Sequence, residues 1–235
     1  MPPRDESDGQ WRFESVEPPP FESTRIYALT EQTLPVRALH SPLERALILS
    51  ILALGLGALA LLVTSLRGDL RADSWPVAYG PALTEFLAGA GLFWLAMRWS
   101  VPGSGERYSR SSVFLGGALL LALVAALAAP HLVATDHPGL CVGSAPGKGL
   151  PCAGWEIMVA IPVLLVSLWF ILRGAAVSSV LAGALAGLGA GLLSDAAMHL
   201  HCPAVDPYHT VTWHLGSVAV LTGMGALLGR VLPKW

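Results

Sequence analysis

The stretch ALILSILALGLGALALLVTSL, residues 46–66, decides the fold because it runs for 21 residues without a charged side chain. A helix needs about 20 consecutive apolar residues to cross the hydrocarbon core of a bilayer, so this stretch predicts a transmembrane helix. Five further apolar stretches follow, at residues 77–97, 113–132, 157–172, 175–193 and 211–229. Since lipid offers no partner to backbone polar groups, such segments must be helical and pack as a bundle.

We therefore predict an all-α protein, a polytopic membrane bundle of six transmembrane helices formed by residues 43–235. Residues 1–42 contain too few apolar side chains to bury a core, and we expect a short, largely disordered cytoplasmic segment there. Its seven acidic and four basic residues give it a net charge of −3. The alternative for this segment is partner binding, with order gained on contact.

The distribution of basic residues predicts the orientation of the bundle. An even number of spans places both termini on one side. If that side is cytoplasmic, 11 of the 14 Lys and Arg residues are cytoplasmic, and only Arg67, Arg71 and Lys148 lie outside. Cytoplasmic loops of membrane proteins have an excess of Lys and Arg, so both termini are predicted to be cytoplasmic.

The composition restricts the classes of function. The chain is 54% hydrophobic and 13% charged, and the predicted bundle takes up nearly everything after residue 43. No soluble catalytic domain fits in the remainder, so we expect a protein that is not an enzyme. The predicted spans make the lipid bilayer an expected partner. The sequence has no basic, aromatic-rich patch, so we expect no direct contact with nucleic acid.

Histidines and cysteines concentrate on the predicted non-cytoplasmic side. All three cysteines and six of the seven histidines fall there, where an oxidising compartment would let any two cysteines pair. Thiolates and imidazoles are ligands for soft and borderline metals, so a transition-metal ion at this periplasmic edge is a candidate cofactor. The alternative is a set of polar helix ends and one disulfide. The candidate metal ligands are Cys141, Asp195, His209 and His214.

Glu85 is the only charged residue within the six predicted spans. An ionisable group inside a membrane usually has a partner or a function. We favour a structural pair with a histidine or serine of a neighbouring span. A small transporter that uses Glu85 is the alternative.

Three groups of residues, in this order along the chain, resemble a known protein family. They are LPVRALHSPLERAL at 34–47 with LRGDL at 66–70; Cys152, Ile161-Pro162, Arg173 and LAGALAGLGAG at 181–191; and His201-Cys202-Pro203 with Trp213. Together they resemble the NrsF family, the negative regulators of sigma F, which are bacterial six-span anti-sigma factors. The chain departs from the family pattern at His214, where the family has a tyrosine, and Cys141 lies outside that pattern.

The resemblance implies an integral-membrane anti-sigma factor at the bacterial inner membrane. Such a protein sequesters an extracytoplasmic-function (ECF) sigma factor and releases it on an external heavy-metal or oxidative stress signal, with no cofactor required. The implied signal-sensing cysteines are Cys152 and Cys202, to which we add the nearby His199 and His201. The candidate residues for the sigma-factor contact are Ile26, Leu29, Leu34 and Val36. A membrane thiol oxidoreductase or metal-handling protein is the alternative use of the same cysteines and histidines.

Overall fold

The structure is a computed structural model that describes residues 40–71, 74–101, 117, 146–174, 176, 178–203 and 209–231. Several sequence predictions fall outside these residues. They are the third predicted span at 113–132 apart from Gly117, Cys141, and the candidate sigma-factor contacts Ile26, Leu29, Leu34 and Val36.

Five α-helices make up most of the described residues: α1 (Pro42–Thr64), α2 (Trp75–Trp99), α3 (Pro146–Arg173), α4 (Ser179–His201) and α5 (Gly216–Val231). A short 3-10 helix, Gly68–Arg71, lies between α1 and α2, and a π-helical segment, Thr210–Leu215, leads directly into α5. Five spans, with the π-helical segment counted into the last, are long and apolar enough to cross a membrane. The described residues contain no strand, so the all-α prediction is confirmed for them, with five of the six predicted spans.

The fourth span is longer than the sequence predicts. The uncharged stretch predicts residues 157–172, whereas α3 is one continuous helix in which the apolar span is Gly149–Arg173. Pro162 lies inside α3 and does not end it. Membrane helices tolerate proline because neighbouring helices and hydroxyl side chains satisfy the freed backbone groups.

The number of charged residues within the spans was also predicted wrongly. The fifth span is Ser179–His201 and not 175–193, so Asp195 lies inside a helix, as does Glu156 in α3. Both side chains are fully or almost fully buried, like that of Glu85. The described spans therefore contain three buried carboxylates, where the sequence predicts one charged residue.

The central helix of the bundle is α4, which contacts the other four helices. Its glycines lie directly against α5. A Cβ atom at Gly187 would overlap the carbonyl oxygen of Leu221, and one at Gly225 on α5 would overlap the carbonyl oxygen of Gly183. Small residues at four-residue spacing allow such close approach, so Gly183, Gly187 and Gly191 predict a central position for this span, as the structure shows.

One end of the bundle, called here the Arg45 end, is organised around the start of α1. Ser41 and Glu44 form a capping box in which the Glu44 N–H donates to Ser41 Oγ at 3.2 Å and the Ser41 N–H donates to Glu44 Oε2 at 2.7 Å. The next residue, Arg45, is only 1% exposed. Its guanidinium donates to Ser100 Oγ at 3.0 Å and to the Met97 carbonyl at 3.4 Å. The charge therefore lies at the carboxyl end of α2, where the helix dipole favours a cation.

The opposite end is called the cysteine end, after Cys152 near the start of α3 and Cys202 directly after α4. The chain after α1 reaches this end, since the Arg67 N–H donates to the Leu200 carbonyl at 3.0 Å. At the other end of α3, Gly174 packs against Ser100, which follows α2. Helices α2 and α3 therefore run parallel, both from the cysteine end to the Arg45 end.

Candidate functional site

Two thiols meet at the cysteine end. Cys152 comes from the first turns of α3, and Cys202 caps α4, with its N–H donating to the Met198 carbonyl at 2.7 Å. The two sulfur atoms lie 3.7 Å apart. A disulfide bond is about 2.05 Å long, so the two residues are thiols in near contact. The cysteine pair implied by the family resemblance is therefore close in space.

Two histidines complete a group with these cysteines. His209 Nε2 lies 3.4 Å from Cys202 Sγ, and the rings of His209 and His214 have centroids 5.4 Å apart. One ligand atom from each of Cys152, Cys202, His209 and His214 lies within 4.8 Å of every other. The two sulfurs and two imidazoles thus form a compact donor set, called here the Cys2His2 cluster.

The π-helical segment explains how both histidines reach the cluster. His209 and His214 are five residues apart, and in an α-helix residues at that spacing point about 140° away from each other. A π-helix has i→i+5 hydrogen bonds and a wider turn, so residues five apart lie on nearly the same side. Thr210–Leu215 has this conformation, and it directs both rings towards Cys202.

Asp195 orients His214. The His214 Nδ1–H donates to Asp195 Oδ1 at 2.7 Å, and both side chains are buried. His214 Nε2 is buried and has no hydrogen-bond partner among the described residues. A carboxylate that holds Nδ1–H fixes the ring and leaves the Nε2 lone pair as the ligand atom, as is usual for metal-binding histidines.

A second ion-pair contact joins α2 to α4. His199 Nδ1 lies 3.0 Å from Glu85 Oε2 and 3.8 Å from Asp195 Oδ1. Glu85 is only 3% exposed. The prediction that Glu85 pairs with a histidine of a neighbouring span is confirmed.

Glu156 belongs to the same polar edge of the sequence but is not among the predicted site residues. Its side chain is 0% exposed, and neither carboxylate oxygen has a hydrogen-bond partner in the part of the chain that the structure describes. It lies one turn after Cys152 on α3, and one of its oxygens is within 4.8 Å of ligand atoms of Asp195 and His214. The i, i+4 spacing from Cys152 was the signal that could have identified it.

A comparison with protein families shows the family to which the chain belongs. The family model NrsF, described as negative regulator of sigma F, matches residues 29–235. The chain belongs to the NrsF family. The match covers all five described helices and the Cys2His2 cluster, and it confirms the resemblance found in the sequence. Comparisons with curated proteins and with solved structures found no match.

In this NrsF protein the predicted site residues divide into three groups. Cys152, Cys202, His209 and His214 form the Cys2His2 cluster. Asp195 and His199 lie beside it and connect it to Glu85. His201 points elsewhere, with Nδ1 2.8 Å from the Ser65 carbonyl oxygen after α1.

Proposed function

We propose that this NrsF protein is a multi-pass anti-sigma factor of the bacterial inner membrane that sequesters an ECF-type sigma factor and releases it on an external stress signal. The family match over residues 29–235 is the observation that supports negative regulation of a sigma factor. Five apolar helices support residence in a membrane. The excess of Lys and Arg on one side supports cytoplasmic termini and a periplasmic cysteine end.

The proposed receiver of the signal is the cysteine end. The thiols of Cys152 and Cys202 are 3.7 Å apart and have imidazole groups beside them. Thiols in such surroundings react with thiophilic metal ions and with oxidants, which are the two proposed stress signals. His199 and His201 flank Cys202 and are proposed to adjust this response.

The proposed route to the cytoplasm is α2. Near the cysteine end its Glu85 contacts His199, and at the Arg45 end Met97 and Ser100 hold Arg45. Arg45 follows closely after the N-terminal segment. A change in packing at the cysteine end that moves α2 would thus reach the start of α1, provided that the bundle has two packings which the signal and the sigma factor favour differently.

The proposed sigma-factor contact is the N-terminal segment. Its net charge of −3 is complementary to the basic surface of a DNA-binding protein, and complementary charge favours rapid and specific association. Its apolar candidates Ile26, Leu29, Leu34 and Val36 would supply the buried part of the contact.

The experiment is co-purification of the full-length, detergent-solubilised protein with each ECF sigma factor of its host. We expect retention of one sigma factor, reduced at least tenfold by Leu29→Asp and unchanged by Gln32→Asp, a change of equal charge at a polar position. Retention of no sigma factor by the full-length protein would refute the proposal.

Cys152→Ser should change the induction of sigma-dependent genes at an unchanged amount of protein in the membrane. Normal induction in that variant would remove the sensing role.

A further inference from the structure

We propose that Cys152, Cys202, His209 and His214 form a closed, four-ligand site for one divalent d10 cation of the Zn²⁺ class. The site is assigned from the geometry of this chain. The assignment does not depend on the proposed function.

The distances between ligand atoms fit a tetrahedral ion. With bonds of about 2.3 Å to sulfur and 2.1 Å to nitrogen, a tetrahedral centre separates two sulfurs by about 3.8 Å and sulfur from nitrogen by about 3.6 Å. The Cys152 and Cys202 sulfurs are 3.7 Å apart, and Cys202 Sγ is 3.4 Å from His209 Nε2. An ion at the centre of the four donors would therefore need only small side-chain movements.

The orientation of His214 is a second, independent indication of a ligand. The ring is 3% exposed, its Nδ1–H is held by Asp195, and its Nε2 is buried without a hydrogen-bond partner among the described residues. Burying an imidazole nitrogen without a partner has a free-energy cost. A metal ion bound at Nε2 removes that cost and makes Asp195 the carboxylate that supports a ligating histidine.

The charge and chemistry of the donors select the class of cation. Two thiolates neutralise a divalent ion, so the ion together with its four ligands has no net charge. Such a group suits a buried position at the end of an apolar bundle. Thiolate with imidazole favours Zn²⁺ or Cd²⁺ over Mg²⁺ and Ca²⁺, which prefer oxygen ligands. Four protein ligands leave no position for a reactive water, which is typical of structural or regulatory sites.

The four ligands of the site come from three different elements of the bundle. Cys152 belongs to α3, Cys202 follows α4, and the two histidines belong to the segment before α5. A bound ion would cross-link these three elements at the cysteine end.

The test uses the full-length protein in detergent, reduced and freed of metal with a chelator. Titration with Zn²⁺, Cd²⁺ and Co²⁺ should show one ion per chain, and Mg²⁺ should not compete. The Co²⁺ form should have the absorption of a tetrahedral site with thiolate ligands. Because this spectrum is recorded on the wild-type protein, it tests the site even if a variant fails to fold. An octahedral spectrum, or less than half an ion bound per chain, would overturn the assignment.

Variants separate the four-ligand site from binding by the thiol pair alone. Asp195→Asn and His214→Gln should weaken Zn²⁺ binding by about 10-fold to 100-fold or more. His40→Gln is the control, because this exposed histidine lies beside Glu44 at the Arg45 end. Unchanged affinity in both Asp195→Asn and His214→Gln would overturn the site. Sigma-factor retention is measured separately, so metal binding without retention would refute the proposed function and leave the site intact.

Discussion

Glu85 Oε2 on α2 lies 3.0 Å from His199 Nδ1 on α4, and the carboxylate side chain is almost completely buried. This contact joins α2, whose Met97 carbonyl accepts a hydrogen bond from Arg45, to α4, which Cys202 follows. Burying a carboxylate in an apolar bundle costs free energy unless it has a partner, and His199 is the partner of Glu85 in this structure. The pair is therefore a direct polar connection between α2 and α4, the helix that Cys202 follows.

A double-mutant cycle should detect this pair as an energetic coupling. We expect Glu85→Gln and His199→Gln to be non-additive, with a coupling free energy of about 0.5–3 kcal/mol in the unfolding of the detergent-solubilised protein. The control cycle combines Glu85→Gln with His201→Gln, since His201 contacts Ser65 instead. That control should be additive to within about 0.5 kcal/mol. An equal coupling in both cycles would contradict a specific Glu85–His199 contact.

Two glycines on α5 should respond in opposite ways to an added methyl group. At Gly225 a Cβ atom would overlap the backbone of Gly183, whereas at Gly223 it would meet nothing within 4 Å. We expect Gly225→Ala to lower the free energy of unfolding by about 1–3 kcal/mol, because a backbone atom cannot move aside. Gly223→Ala should have little effect or stabilise the helix by up to about 1 kcal/mol. Thermal unfolding in detergent measures both, and equal effects would contradict the close contact of α4 and α5.

The glycine spacing shows what the sequence can predict about this bundle. Spans of uncharged residues and small residues every four positions depend on local composition, and both are visible without a structure. The central position of α4 followed from Gly183, Gly187 and Gly191 in this way. The end of a span next to an ionisable residue is harder to predict. Asp195 lies just after the apolar stretch 175–193, and inside the bundle it contacts His214, which comes from the segment before α5.

The Cys2His2 cluster could be predicted only in part. The concentration of cysteines and histidines at one edge was visible, and the resemblance indicated Cys152 and Cys202. The approach of His209 and His214 depends on a π-helical turn, which α-helical periodicity does not predict. Which nitrogen of His214 remains available depends on Asp195, at a separation of 19 residues in the chain.

Arg45 should stabilise the bundle far more than an exposed arginine does. Its guanidinium is buried and donates to Ser100 Oγ and the Met97 carbonyl. We expect Arg45→Ala to lower the free energy of unfolding by about 1.5–3 kcal/mol, the range for hydrogen bonds of charged groups. Arg230→Ala is the control, because Arg230 is exposed at the end of α5 and should change stability by less than about 0.5 kcal/mol. A loss at Arg45 no larger than at Arg230 would show that the buried contacts are not formed.

The same Arg45 variants test the proposed role of α2. If Arg45 connects the N-terminal segment to α2, Arg45→Ala should raise the expression of sigma-dependent genes in unstressed cells, while Arg230→Ala should not. The amount of each protein in the membrane must be measured in parallel, because a smaller amount of anti-sigma factor alone would raise expression. Unchanged basal expression, at a normal amount of the Arg45→Ala protein, would separate Arg45 from signalling.

Cys152 and Cys202 should form an intramolecular disulfide under mild oxidation. Their sulfurs are 3.7 Å apart, so little backbone movement is needed. Diamide accepts the two hydrogen atoms of the thiols as the S–S bond forms. In a Cys141→Ser protein, which keeps only this pair, we expect loss of both alkylatable thiols and a mass decrease of about 2 Da without dimers.

A Cys141→Ser, Cys202→Ser protein should keep its single thiol. Prior loading with Zn²⁺ should slow the reaction, because both sulfurs would then be bound to the ion. Persistence of two alkylatable thiols in the oxidised, metal-free Cys141→Ser protein would show that the two residues do not meet in the membrane protein.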